Sequence, residues 1–366
     1  MQLLSAFILI MLFLPIAAVL AFTPYFTRET ISFGVSVSEE HYRSDLLRKM
    51  RKKFASISVV IYSILLLASL IVLVQIGDLG QSITVGACVI VMIIVSVVMN
   101  LTFYFKMKKL KPSLPPGPTG GKTILAIDTS FRQHKLILSN KWFLVHFAIT
   151  VICTIFVFAN YDRIPATIAM KFDFQGNVIS SAAKSYWSVL FPNIMQVIML
   201  LVFLMVNHSI SSSKQQIHAG DPERSIRRNI VFRRKWSLFT LLSAFAITFL
   251  FAFIQLNMIY PMKVEILAFV SILVPVFIVL FAIILAFTTG QGGSRIERSE
   301  IGSPIQPVND DAYWKLGVIY FNPKDPAIWV EKRSGIGWTI NTANPMSWII
   351  FIGLIGIITL VTEFAK

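Results

Sequence analysis

Eight apolar runs of about 20 residues constrain this chain more than any other feature. A helix of that length crosses a hydrocarbon core about 30 Å thick and satisfies its own backbone polar groups, which lipid cannot do for it. The runs fall at residues 3–22, 54–75, 83–105, 142–159, 187–207, 236–258, 264–286 and 346–361. Only 14% of the 366 residues are charged, where a soluble domain carries roughly a quarter. The mean hydropathy is +0.72. The expected fold class is therefore an all-α integral membrane protein with about eight transmembrane helices. Ahead of the first run stand only Met1 and Gln2, with no Lys or Arg. The run is also longer than the apolar core of a signal peptide, so it is expected to be a retained span.

Orientation follows from Lys and Arg, which gather in cytoplasmic loops. The segments at 23–53, 106–141, 208–235 and 287–345 hold seven, eight, seven and six of them, or 28 of the 33. The alternate segments share the other five, among them Arg163, Lys171 and Lys184 in the 160–186 segment. Both termini are thus expected to be extracytoplasmic in a bacterial cell membrane, with the basic loops facing the anionic inner leaflet. The net charge of +15 is spread over four loops, which anionic lipid explains and a nucleic-acid surface does not. Cys88 and Cys153 both lie inside apolar runs and read as small buried hydrophobes.

The spans divide the chain into a four-span half (1–159), an extracytoplasmic module (160–186), spans five to seven (187–286), a flexible linker (287–308), a small β-rich cytoplasmic unit (309–345) and a last span with its tail (346–366). In the first basic loop, Ser36 and Glu39 have capping-box spacing, and Tyr42, Leu46, Met50 and Phe54 recur every four residues. That pattern predicts an interfacial helix, with a cytosolic regulator as a possible partner. In the second, GPTGGKT ends like a P-loop, but Pro116 stands where the pattern needs Gly and offers no N–H to a phosphate. ILAIDT and HKLILSNKW after it are expected to form a short hairpin. The third loop carries an interfacial segment, SIRRNIVFRRKW, and its His208 and His218 lack an acidic neighbour that would suggest a metal. In the unit at 309–345, LGVIYF, AIWVEK and WTIN read as three strands, with Trp314, Trp329, Trp338 and Trp348 suited to a membrane interface.

Chemistry within the spans is sparse. No Asp, Glu, Lys or Arg lies in the middle of any run. His146 is expected to hydrogen-bond a neighbouring helix, and Asn193, Gln196, Gln255 and Asn257 to join helices. Proton-coupled transport needs titratable relays at depth, and intramembrane proteolysis needs an Asp pair, His-Glu-x-x-His or Gly-x-Ser-x-Gly; none is present. The expectation is a non-enzymatic protein without cofactor or metal. A permease for an uncharged or lipid-like substrate is the alternative, followed by a structural subunit of a membrane complex.

Recognition chemistry concentrates in NYDRIPATIAMKFDFQGNVISSAAK, residues 160–184. IAMKFDF alternates like a strand, and Gln175-Gly176-Asn177 supplies a turn. Its charged side chains Asp162, Arg163, Lys171, Asp173 and Lys184 are the candidate ligand-binding residues. The order RIP…KF…QGN…K resembles an extracytoplasmic module of unknown function in multi-pass proteins of Gram-positive bacteria. That module occurs in the immunity and signalling protein for a sporulation-delaying toxin. Lys171 replaces the module's usual His, and SSAAK its usual Trp-Gly-Ser-Lys ending. YWKLGVIYFNPKDPAIWVEKRSGIGWTINTANPMSW is similar to a second uncharacterised domain that accompanies it, and FGVSVSEEHYRSDLLRKMRKKF to the first cytoplasmic loop of these proteins. The resemblance implies a membrane protein that senses, or gives immunity to, an extracellular envelope-active peptide or envelope stress.

Overall fold

The computed structural model describes residues 2–75, 78–115, 131, 134–172, 178–214, 222–296 and 309–364. Long helices dominate. They are α1 (Gln2–Phe26), α3 (Asp45–Gln75), α4 (Asp78–Leu110), α5 (Phe143–Ala159), α6 (Tyr186–Ser212), α7 (Pro222–Ile259), α8 (Val264–Thr289) and α9 (Pro345–Phe364), with a short α2 (Glu39–Arg43) before α3. Each expected span lies within one of them, except that 142–159 begins one residue before α5, at Trp142 of a 3-10 turn. Seven are long and apolar enough to cross a membrane by length and composition; the apolar part of α9, Pro345–Val361, is shorter.

The helices pack as two groups of three. Leu9, Phe13 and Ala17 of α1 meet Tyr62 and Leu73 of α3 and Cys88 and Met92 of α4. Phe143 of α5, Leu200 of α6, and Leu241 and Ala244 of α7 form the corresponding core of the second group. Helix α8 bridges the groups, touching α1 on one side and α7 on the other. Ile64, Ile90, Ile152, Ile155 and Phe277 point outward and are about 60% exposed. An apolar shell of that extent is far beyond what a water-facing surface carries, and lipid is its natural solvent. The chain is built as a multi-pass, membrane-embedded helical protein.

Among the described residues, four two-stranded antiparallel sheets decorate the two ends. At one end, here the hairpin end, β3 (Thr167–Phe172) pairs with β4 (Val178–Ala183). The other, basic end carries β1 (Ile31–Ser32) with β2 (Val35–Ser36), then β5 (Trp314–Lys315) with β6 (Ile319–Tyr320), and β7 (Trp329–Glu331) with β8 (Trp338–Ile340). The C-terminal unit is therefore two short hairpins, joined by a parallel bridge from Tyr320 to Asn341, where three strands were expected.

Other expectations shift at the basic end. Ser36 lies in β2 and caps nothing; Ser38 is the N-cap of α2. The backbone turns out of helix at Ser44 (ψ 152°), so the four-residue stripe does not run unbroken from Tyr42 to Phe54. Tyr42 and Phe54 are buried as the stripe requires, but Leu46 is exposed, and Leu47 and Arg51 face inward in its place. SIRRNIVFRRKW, expected to enter the sixth span, is the first part of one continuous α7. Of the hairpin expected in the second basic loop, ILAIDT and Pro116 lie outside the described residues, and residues 134–139 form no strand. Trp314 is buried in the small core of the C-terminal unit with Tyr320 and Val330 and does not offer its ring to a surface.

Candidate functional site

The β3–β4 hairpin is seated rather than free. Ile164 and Ile168 are buried against Val157 of α5, Val189 of α6 and Ile259 of α7. Lys184 then staples its base. The Lys184 backbone N–H donates to the Ala166 carbonyl at 2.8 Å, and its Nζ donates to the Ile164 carbonyl at 3.0 Å. The same ammonium stands 4.3 Å above the Tyr161 ring. Ser185 caps α6 through a reciprocal bond pair with Ser188, so the strand leads directly into the helix.

The five expected site residues separate into different roles. Asp162 and Arg163 are exposed in a single 3-10 turn, Tyr161–Arg163. Arg163 donates to the Tyr260 hydroxyl at 2.8 Å and so ties the turn to the end of α7. Lys171 sits in β3 opposite Ser180, next to an irregularity that leaves Met170 unpaired. Lys184 is committed to the base. Asp173 and the Gln175-Gly176-Asn177 turn lie outside the described residues. Sequence reasoning singled out charges and missed the apolar half of this face: Val178, Ile179, Tyr186 and Trp187 are all more than half exposed. The signal was present in NVISSAAKSYW, where Val178 and Ile179 are adjacent and one of them must face away from the seat.

Below the hairpin, amides close a polar layer between α5, α6 and α7. Asn193 Nδ2 donates to Gln196 Oε1 (3.2 Å) and reaches the Thr150 carbonyl (3.4 Å); Gln196 Nε2 donates to the Thr248 carbonyl at 2.9 Å. Gln255 Nε2 donates to Asn193 Oδ1. These are the helix-joining bonds expected of them. Asn257 instead accepts the Met262 N–H at 2.9 Å and shapes the α7–α8 turn. His146 meets the neighbouring helix by stacking: its ring lies between Phe143 and Phe245, 5.3 and 3.8 Å away between centroids.

At the basic end a single carboxylate gathers three elements. Glu331, on β7 and wholly buried, accepts from Arg28 at the exit of α1, from Asn229 of α7 at 3.0 Å and from Gln291 after α8 at 3.3 Å. Arg233 lies 3.6 Å from its other oxygen and donates to the Ile210 and Ser213 carbonyls, closing the C-terminal end of α6. Burial pushes the Glu331 carboxyl up, yet Arg28, Arg233 and Asn229 together hold it below its ordinary value. A second cluster repeats the arrangement: Arg333 pairs with Asp310 and Asp311, Lys111 with Asp311 at 2.6 Å, and Asp311 accepts the Ser36 N–H. The Asp311 carboxyl is likewise held low, against the upward push of burial, by Lys111 and Arg333. The clamp fixes the C-terminal unit to the helix ends.

Comparison with known proteins falls on these two places. A domain of unknown function, DUF1648, matches residues 148–196, the hairpin with the adjoining parts of α5 and α6. A family of unknown function, DUF5808, matches residues 323–348, which include β7, β8, Glu331 and Arg333. No curated protein and no solved structure matches the chain.

Proposed function

We propose that this is a non-enzymatic receptor of the bacterial cell membrane that senses, or protects against, an envelope-active peptide, and that the β3–β4 hairpin is its receiving surface. The observation that carries the reading is the composition of that exposed face. The exposed Asp162–Arg163 pair and Tyr186 lie at the foot of the hairpin, and exposed Val178 and Ile179 lie at its far end, on a support buried against α5, α6 and α7. An amphipathic peptide lying in the membrane interface presents the complementary mixture of charge and apolar side chains. The resemblance to the toxin-immunity module points the same way. In this reading the helices number eight with α9 included, both termini are extracytoplasmic, and the basic end, clamped to its aromatic unit, anchors the protein on inner-leaflet lipid or meets a cytosolic regulator. The permease alternative has less support, because the buried amides of α6 and α7 are spent on one another.

The test is a deletion strain challenged with a cationic amphipathic antimicrobial peptide. Greater sensitivity that is rescued by the wild type, but not by Asp162→Lys or Ile179→Asp expressed at the same level, is the expected result. Unchanged sensitivity, together with altered solute uptake in proteoliposomes, would sink the proposal. Thiol labelling of Gly176→Cys from outside intact cells should succeed, and labelling of Lys324→Cys, exposed at the basic end, should fail; the reverse overturns the orientation.

A further inference from the structure

The β5–β6 hairpin turns one face into its own core and leaves the other bare. Trp314 and Tyr320 pair across the strands and pack inward with Val330. Leu316, Val318, Ile319 and Phe321 point the other way and are 43–46% exposed. The loop at the tip is Leu316-Gly317-Val318, closed by the Val318 N–H donating to the Lys315 carbonyl at 3.2 Å. Leu316 holds φ 55°, a left-handed conformation uncommon for a side chain of its size. A water-facing loop would ordinarily place Asn or Gly there. Here two large apolar residues flank one glycine.

The depth of this tip is fixed by close contacts. A Cβ on Gly34 would lie 2.7 Å from the Gly317 Cα, and one on Gly317 would lie 2.8 Å from the Tyr104 ring. Neither glycine leaves room for movement. Tyr104 stands two residues before Lys106, where the apolar length of α4 gives way to Lys106, Lys108 and Lys109. The base of the hairpin is held farther out, through Asp311 to Lys111. Tyr104 stands six residues before Leu110, the end of α4 next to Lys111, or about 9 Å along the axis at 1.5 Å per residue. The hairpin therefore runs toward the membrane, and its bare tip is level with Phe105, itself 48% exposed on the apolar surface of α4.

We propose that the tip of this hairpin, Leu316 to Phe321, is a wedge inserted into the lipid leaflet at the basic end. The proposal rests on the membrane-embedded reading of the chain and adds a contact that no spanning helix makes. The occupant of the bare face is lipid because that face is continuous with the lipid-facing side of α4. The lysines at that level supply the cationic rim that an interfacial element needs against phosphate. Trp314 and Trp329 do not touch the leaflet in this arrangement; aliphatic and Phe side chains do.

Spin labels attached singly at Leu316→Cys, Val318→Cys and Phe321→Cys, in a Cys88→Ala/Cys153→Ala background and in vesicles of phosphatidylcholine with phosphatidylglycerol, read the environment directly. Ile93→Cys, exposed in the middle of α4, is the lipid control, and Lys324→Cys in the outer turn is the water control. The expected result is preferential collision with oxygen at the three wedge positions, as at Ile93. Preference for a water-soluble nickel chelate at those positions, with Ile93 still in lipid, overturns the wedge alone. Nickel preference at Ile93 overturns the membrane reading and the wedge with it. Spin–spin broadening at the tip would assign the face to a second copy of the chain, and also overturns the proposal.

Discussion

Glu331→Gln is the sharpest perturbation the structure offers. Gln keeps the size of the side chain, but its one carbonyl oxygen can accept only from Asn229 on one side or from Gln291 and Arg28 on the other, so the change removes a charge and turns one acceptor toward donors. It leaves two guanidinium groups without that carboxylate, in places where the Arg28 and Arg233 side chains are 9% and 0% exposed. Removing one partner of a buried ion pair costs about 3–5 kcal/mol. Arg233 keeps its carbonyl partners at Ile210 and Ser213, which favours the lower end. At about 1.4 kcal/mol per decade, a loss near 3 kcal/mol raises the open population of the clamp about 100-fold. Hydrogen exchange on the full-length protein in nanodiscs measures this. The Asn341 N–H, donated to the Ile328 carbonyl at 2.8 Å, and the Lys332 N–H, donated to the Gly337 carbonyl at 3.0 Å, are its natural reporters. Peptides covering 328–341 should exchange about 100-fold faster, while those covering β3 and β4 stay unchanged. Acceleration of less than about fivefold, equivalent to about 1 kcal/mol, would refute the idea that the charge holds the unit in place.

Gly292→Ala should imitate that phenotype from the other side. Gly292 has φ 63°, and an added Cβ would lie 2.6 Å from the Arg28 guanidinium, so peptides 328–341 should again exchange faster; wild-type rates would exclude close packing there. Acid should open the clamp. Burial pushes Asp325 up, but Lys214 at 2.6 Å and the Tyr320 hydroxyl at 2.7 Å hold it low. Glu331, Asp311 and Asp325 thus all have depressed carboxyls, so their contribution is complete above the ordinary values of about 3.9–4.3 and is lost as pH falls through the lower folded values. Exchange at 328–341, corrected for intrinsic rate, should be flat from about pH 5 to 8 and rise in stronger acid; a rise near pH 6 would contradict the assignment. Gln196→Leu removes one interhelical bond of the amide layer and should lower stability by about 0.6 kcal/mol, at most about 1.7, in a thermal or denaturant assay in detergent. A larger loss would mean that the amides act as one unit.

The helices were legible because the rule behind them is one of length. Twenty apolar residues in a row need no partner to be recognised, and each predicted span falls inside one helix to within a residue. The clamp was illegible for the opposite reason. A Glu in IWVEK carries no local mark of burial, since what makes it tolerable is an arginine at the far end of the chain. The stripe from Tyr42 to Phe54 failed through a single residue, Ser44, which resets the helical phase. Trp314 misled because tryptophan suits both a membrane interface and a small core, and only the pairing with Tyr320 decides between them. In the hairpin, the charges were read as a binding set, yet Lys184 spends its ammonium on the Ile164 carbonyl and the Tyr161 ring.

The Arg28–Glu331 contact spans 303 positions of sequence. Arg28 is made long before the carboxylate it meets, which arrives only after α8. Until then Arg233 can already donate to the Ile210 and Ser213 carbonyls and close the end of α6. The ends of α1, α7 and α8 can be joined through Glu331 only after all three have been made.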